Sequence, residues 1–153
     1  MRILVDADGC PVKAEILRVA RRCQVPVLLV ANQVIDATKD PLVTSVVVGR
    51  EADAADDWIA QHAEAGDIVV TTDVPLAARV VGRAATVLRP TGKPFTPDDV
   101  GTALAVRDLL TSLRASGERT SGPPPFQDRD RSAFLQALDA AIVRGRRAQA
   151  GRR

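Results

Sequence analysis

Five short runs rich in β-branched and aliphatic residues recur along the chain: Ile3 to Val5, Val25 to Val30, Val43 to Val48, Ile68 to Thr72 and Ala85 to Leu88. Each reads as a buried strand, and segments with helical periodicity separate them. Strands that alternate with helices in this way imply a parallel sheet whose faces the helices cover. The expected fold class is therefore α/β, with a mainly parallel central sheet flanked by helices. A chain of 153 residues, 46% of them hydrophobic, can build one such core without disulfides.

The connecting segments carry helix signals. Cys10-Pro11 opens a helix with proline at its first position, with Ile16, Leu17, Ala20 and Cys23 as its apolar stripe and Arg18, Arg21 and Arg22 opposite. Asp53 to Ala65 reads as a second helix with acids in its first turn, where the helix dipole favours them, and Gly66 ends it. A short helix spans Pro75 to Val81. Arg89 to Pro97 is a loop by its proline and glycine content, and Thr96 can cap a helix that starts at Pro97 and runs to about Arg114. The segment from Ser116 to Pro125, with Gly117, Gly122 and three consecutive prolines, cannot continue it. A last helix places Leu135, Leu138 and Ile142 on one face. Neither of these two C-terminal helices has enough apolar surface alone, so both are expected to pack on the sheet.

Charge and cysteine content narrow the function classes. The formal charge is only +2, which does not mark the whole molecule for nucleic acid, but the stretch from Arg144 to Arg153 is strongly basic. Gly145 and Gly151 discourage ordered helix there, so residues 1–145 are expected to form one domain and residues 146–153 a flexible basic tail. Cys10 and Cys23 match neither a disulfide framework nor CxxC metal spacing, which fits a reduced compartment. An acid at position 6 precedes any signal-like apolar region, and no apolar run approaches the ~20 residues of a membrane span. The expectation is a soluble, cytoplasmic protein with no membrane partner.

The chemistry concentrates at strand ends. Ligands of open α/β sheets sit beyond the carboxyl ends of the strands, where the strand order switches. Asp6 and Asp8 follow the first strand, Asp73 follows the fourth, and Asp53 and Asp56, three apart at a helix start, can reach the same edge. Several carboxylates in one cleft repel each other unless a cation lies between them or some take up protons. An oxygen-rich, histidine-poor set suits Mg²⁺ or Mn²⁺, which would support hydrolysis at phosphorus. The expected metal ligands are Asp6, Asp8, Asp53, Asp56 and Asp73, with Asp6, Asp56 and Asp73 as the catalytic acids. Helix capping competes for Asp8 and Asp53, and Asp57 reads as surface charge. Lys13, Asn32, Thr72 and Arg107 are the candidates for substrate contact. Cys10 at a helix start invites a nucleophile reading, but the sole histidine, His62, falls late in a helix and leaves the thiol without a base. Trp58 reads as packing.

Several motifs together resemble the bacterial YaiI/YqxD family, which is grouped with PIN-like nucleases. They are Val5-Asp-Ala-Asp-Gly-Cys-Pro-Val12, Asp53-Ala-Ala-Asp-Asp57, Gly66-Asp-Ile-Val-Val-Thr-Thr-Asp-Val-Pro-Leu-Ala77, Arg107, and Gly122-Pro-Pro-Pro-Phe126 followed by Asp130-Arg131 and Phe134. The resemblance implies a single PIN-like α/β domain. In the wider PIN comparison Asp6 is similar to the strand-one acid, Asp56 to the helix-start acid, and Thr71-Thr72-Asp73 to the threonine-x-aspartate strand end. It also implies metal-dependent cleavage of RNA. PIN nucleases usually carry a further central acid; between Val30 and Val48 this chain offers Asp36 and Asp40, and Asp8 or Asp53 could substitute.

Three functions stay open at this point. The first is an Mg²⁺- or Mn²⁺-dependent ribonuclease. The second is a haloacid dehalogenase-like phosphatase with Asp6 as nucleophile and Asp8 as acid/base, in which Cys10 stands where a threonine or serine is usual. The third is a noncatalytic RNA- or protein-binding module.

Overall fold

A computed structural model of the chain describes residues 1–35, 40–51, 53–81, 83, 85–101 and 126–151. Six strands form one sheet: β1 (Ile3–Asp6), β2 (Val27–Ala31), β3 (Val43–Val47), β4 (Ile68–Val70), β5 (Thr86–Leu88) and β6 (Pro94–Phe95). The order is β3-β2-β1-β4-β5-β6, parallel from β3 to β5, with β6 antiparallel at one edge. β6 falls in the segment expected to be wholly loop. The tight turn at Gly92 (φ 89°) folds residues 89–95 back, and the Arg89 N–H donates to the Lys93 carbonyl. A side chain at Gly92 would meet the backbone of Ala133 at 2.7 Å, so only glycine lets this turn lie against the C-terminal helix.

Side chains that alternate along β1 divide the core. Ile3 and Val5 face one layer with α1 (Lys13–Cys23) and α4 (Asp128–Ala150), where Ile16, Ala20, Phe134, Leu138 and Ile142 are buried. Leu4 faces the other, with α2 (Ala54–His62) and α3 (Val74–Val81), which contribute Ile59, Leu76 and Val80. Apolar surface on both faces is what a parallel sheet requires. At the amino edge, the buried Asp67 accepts from the Arg2 N–H and guanidinium and from the Glu64 N–H, so its charge is fully paired.

Several local expectations need correction. Pro11 does not begin α1; it lies in a turn, and the helix starts at Lys13 with Val12 at the cap position. α2 ends at His62, with Ala63 as its extended C-cap, so Gly66 (φ 90°) shapes a later turn instead of stopping the helix. Residues 146–150 are not a flexible tail, because α4 continues to Ala150. Contacts made by the sheet-facing side of α4 outweigh the roughly 1 kcal/mol helix cost of Gly145: Met1 lies across that glycine, and the Arg146 guanidinium donates to the Cys23 carbonyl at the end of α1. The helix expected from Pro97 is capped as anticipated. Thr96 Oγ1 accepts from the Asp99 N–H at 3.1 Å, and residues 97–101 are helical. Its expected continuation to Arg114, and the 116–125 segment, lie outside the described residues.

Candidate functional site

The chain grows the sheet outward from β1 to β3, then returns to β4 on the other flank of β1. This reversal places a switch point between β1 and β4, where the connecting loops part and leave a crevice at the carboxyl ends. A cleft of about 210 Å³ opens there, lined by Asp6, Asp8, Asn32, Glu51, Asp53, Asp56 and Asp73 and by Val48 and Gly49 just after β3. All five aspartates read as metal-ligand candidates therefore line one space.

Thr71 joins the two central strand ends. Its buried hydroxyl donates to Asp6 Oδ2 at 3.0 Å and accepts from the Asp73 N–H at 3.0 Å. Asp73 in turn caps α3, with Oδ1 accepting from the Leu76 N–H at 2.7 Å. The carboxyl is fixed by the helix it starts, and this capping role was not part of the sequence expectation. Asp8 does not cap α1; its Oδ2 accepts from the Asn32 N–H at 3.2 Å, linking the loops after β1 and β2. Asn32 reaches the cleft, but it is its backbone that engages Asp8.

Asp53 occupies the cap position of α2 without making a side-chain capping bond. Its backbone is left-handed (φ 69°), a conformation aspartate tolerates better than most residues, and its side chain lines the cleft. Asp56 follows in the first turn. Burial, together with the nearby charges of Asp73, Asp6 and Asp53 and a hydrogen bond to Asp73, pushes its carboxyl up to about 7. Burial also raises Asp6, opposed by the Thr71 hydroxyl and reinforced by Asp73 and Asp8. Near neutral pH the crowding is thus partly relieved by protonation of Asp56.

The remaining candidates are placed elsewhere. Lys13 does not line the cleft; its Nζ donates to the Ala7 carbonyl at 3.0 Å and braces the loop that carries Asp8. Thr72 is exposed and outside the cleft lining. Arg107 and Asp36 lie outside the described residues. Asp40 precedes β3 at the amino edge, where it pairs with Arg21 at 2.6 Å, so it supplies no central acid. Asp57 points away to Arg79 at 2.6 Å. His62 stacks on Trp58 with ring centroids 3.9 Å apart. Cys10 is buried, and burial raises its thiol, which disfavours a thiolate nucleophile.

One acid of the cleft escaped the sequence reading. Glu51 lines the cleft from the β3–α2 connection. Its signal was available, because the loop after β3 leaves the same carboxyl edge as those after β1 and β4. Thr71 was named only within the threonine-x-aspartate strand end, and nothing in its spacing distinguished a hydroxyl turned toward Asp6 from one turned to solvent.

Comparison with known proteins fixes the kinship. The family model described as "Uncharacterized BCR, YaiI/YqxD family" matches residues 4–144. The chain belongs to the YaiI/YqxD family. A UPF0178 protein of Nitrobacter winogradskyi is 57% identical over 152 residues, covering 99% of this chain and 97% of that protein. A UPF0178 protein of Rhodopseudomonas palustris is 55% identical over 143 residues, covering 94% and 90%. One of Brucella ovis is 54% identical over 147 residues, covering 95% and 91%. No solved structure matches the chain. Among the described residues no helix is long and apolar enough to cross a membrane.

Proposed function

We propose that the YaiI/YqxD cleft binds Mg²⁺ or Mn²⁺ and hydrolyses phosphodiester bonds of RNA in the manner of PIN-like nucleases. The observation that carries this reading is the convergence of Asp6, Asp56 and Asp73, with Asp8, Asp53 and Glu51, on one cleft at the strand switch point. Asp6, Asp56 and Asp73 are the acids on which the PIN resemblance rests. Their donor chemistry fits a hard divalent cation, since every side-chain ligand is an oxygen and histidine and thiol are excluded from the lining. Among the described residues, no three such side chains stand close enough to hold an ion as they are, so binding would draw the carboxylates inward.

A bound divalent ion would supply charge neutralisation and a more acidic water. The chain's own groups prepare that arrangement. Thr71 orients Asp6, the first turn of α3 orients Asp73, and Asp56 carries a proton that a cation would displace.

The test is cleavage of a panel of single-stranded and structured RNAs by the wild type and Asp73→Asn in Mn²⁺. The asparagine oxygen can still accept from the Leu76 N–H, so α3 stays capped while the charge is lost. The variant is expected to lose at least tenfold in rate. Equal rates would assign the cleavage to a contaminant, and a covalent phosphate trapped on Asp6 would replace this reading with the phosphatase.

A further inference from the structure

The edge of the sheet opposite the cleft carries a second feature, of opposite charge. Helices α1 and α4 lie side by side and run in the same direction: Glu15 meets Arg131, Arg22 meets Asp139, and the Cys23 carbonyl receives Arg146. Both helices therefore end together, at the amino edge where Gln24 leads into β2. Around these ends stand six exposed arginines, Arg18, Arg21 and Arg22 of α1 and Arg144, Arg146 and Arg147 of α4. Only two acids among the described residues pair with them, Asp40 with Arg21 and Asp139 with Arg22. The local excess is four positive charges, six minus two, on a chain whose total is +2.

Cations near helix C-termini often do no more than complement the macrodipole, an effect confined to the last turn. That accounts for Arg21, Arg22 and Arg147. It does not account for Arg18, more than a turn before the end of α1, or for Arg144, six residues before the end of α4. Neither has an ion-pair partner among the described residues. The spacing of Arg18 and Arg22 places both on the row that flanks α4, since Glu15 and Arg22 of that row each touch α4.

We propose that this arginine face binds the phosphate backbone of RNA, as a contact surface separate from the acidic cleft. Guanidinium groups suit phosphate oxygens, and the two helices carry them on a rigid frame. The inference rests on the RNA reading of the cleft: without a cation the cleft repels a polyanion, so a cation-free contact to the backbone lies elsewhere on the molecule. The arginine face supplies it without involving the cleft. Such contacts carry no sequence preference and weaken with salt.

The experiment measures binding of the full chain to a fluorescein-labelled oligouridylate by anisotropy, in EDTA, from 50 to 300 mM salt. The comparison is with the double variant Arg18→Gln, Arg144→Gln. Each phosphate contact contributes about 0.7 to the slope of log affinity against log salt for single strands, so losing two lowers the slope by about 1.4. Affinity at the lowest salt is expected to fall at least tenfold, with Mn²⁺ binding and melting temperature unchanged. No binding by the wild type at 50 mM salt overturns the proposal. So does equal binding by the variant, or binding to vesicles containing phosphatidylserine without binding to the oligonucleotide. Failure of the cleft reading would register in the Mn²⁺ titration alone, so the two are separable.

Discussion

Replacing Asp56 by asparagine should stabilise the metal-free protein at neutral and alkaline pH. The Asp56 carboxyl is held at about 7 in the fold against 3.8 as an ordinary aspartate. That rise corresponds to about 4 kcal/mol if none of it were screened. Asp56 is only half-buried at the cleft wall, and water screens much of that repulsion, which leaves about 1–2 kcal/mol. The sign follows from proton linkage. A raised folded-state pKa means that the native state binds more protons than the unfolded state between about pH 4 and pH 7, so wild-type stability falls as pH rises through that window and levels off above it. Asparagine mimics the protonated acid and can donate to Asp73, so it removes this loss. Urea unfolding of both proteins at pH 4, 6 and 8, without divalent ions, reads the effect directly. Near-equal stability is expected at pH 4, and at pH 8 Asp56→Asn should be ahead by about 1–2 kcal/mol, which is about 4 °C in Tm for a chain of this size. A variant no more stable than wild type at pH 8, or a wild-type curve that does not decline between pH 4 and pH 7, would refute the like-charge account of the cleft.

Other perturbations probe the frame that holds the site. Thr71→Val removes the hydroxyl shared by Asp6 and the Asp73 N–H, and should cost about 2 kcal/mol in urea unfolding and weaken Mn²⁺ binding. Gly92→Ala places a Cβ against the Ala133 backbone at a positive φ; a fall of more than about 2 kcal/mol is expected, and its midpoint would show a smaller loss if the turn did not pack on α4. Arg131→Ala strips the Glu15 and Pro11 contacts that tie α4 to α1 and to the loop after β1, and should cost about 2 kcal/mol by thermal unfolding; an unchanged melting temperature would show that these contacts do not hold α4 in place.

Much of the fold was legible because a parallel sheet buried on both faces needs apolar strands, and β1 to β5 each contain such a run. The strand ends then fixed which edge Asp6 and Asp73 occupy. Elements shaped by tertiary contact were not legible. β6 has two residues, one a proline, and forms because Gly92 turns against α4. Residues 146–150 are helical because Arg146 and Gly145 are held on α1 and Met1, which no local propensity reveals. In the site, aspartate positions could be read from spacing, but their partners could not. Asp8 bonds the loop after β2, Asp73 caps α3, and Lys13 turns to Ala7, each choice being made by backbone geometry after folding. Glu51 lies just beyond the Val30 to Val48 stretch in which the PIN resemblance would place a further acid.

The measurement that bears most directly on the acidic cleft is calorimetric titration of Mn²⁺ into the wild type and Asp6→Asn at pH 7, in two buffers of different ionisation enthalpy. With the Asp56 carboxyl at about 7, roughly half of the molecules hold that proton before the ion arrives. The expected result is saturable binding with release of a fraction of a proton, weakened at least tenfold by Asp6→Asn. No heat of binding at millimolar Mn²⁺, or equal binding by both proteins, would contradict a divalent-metal site in this cleft.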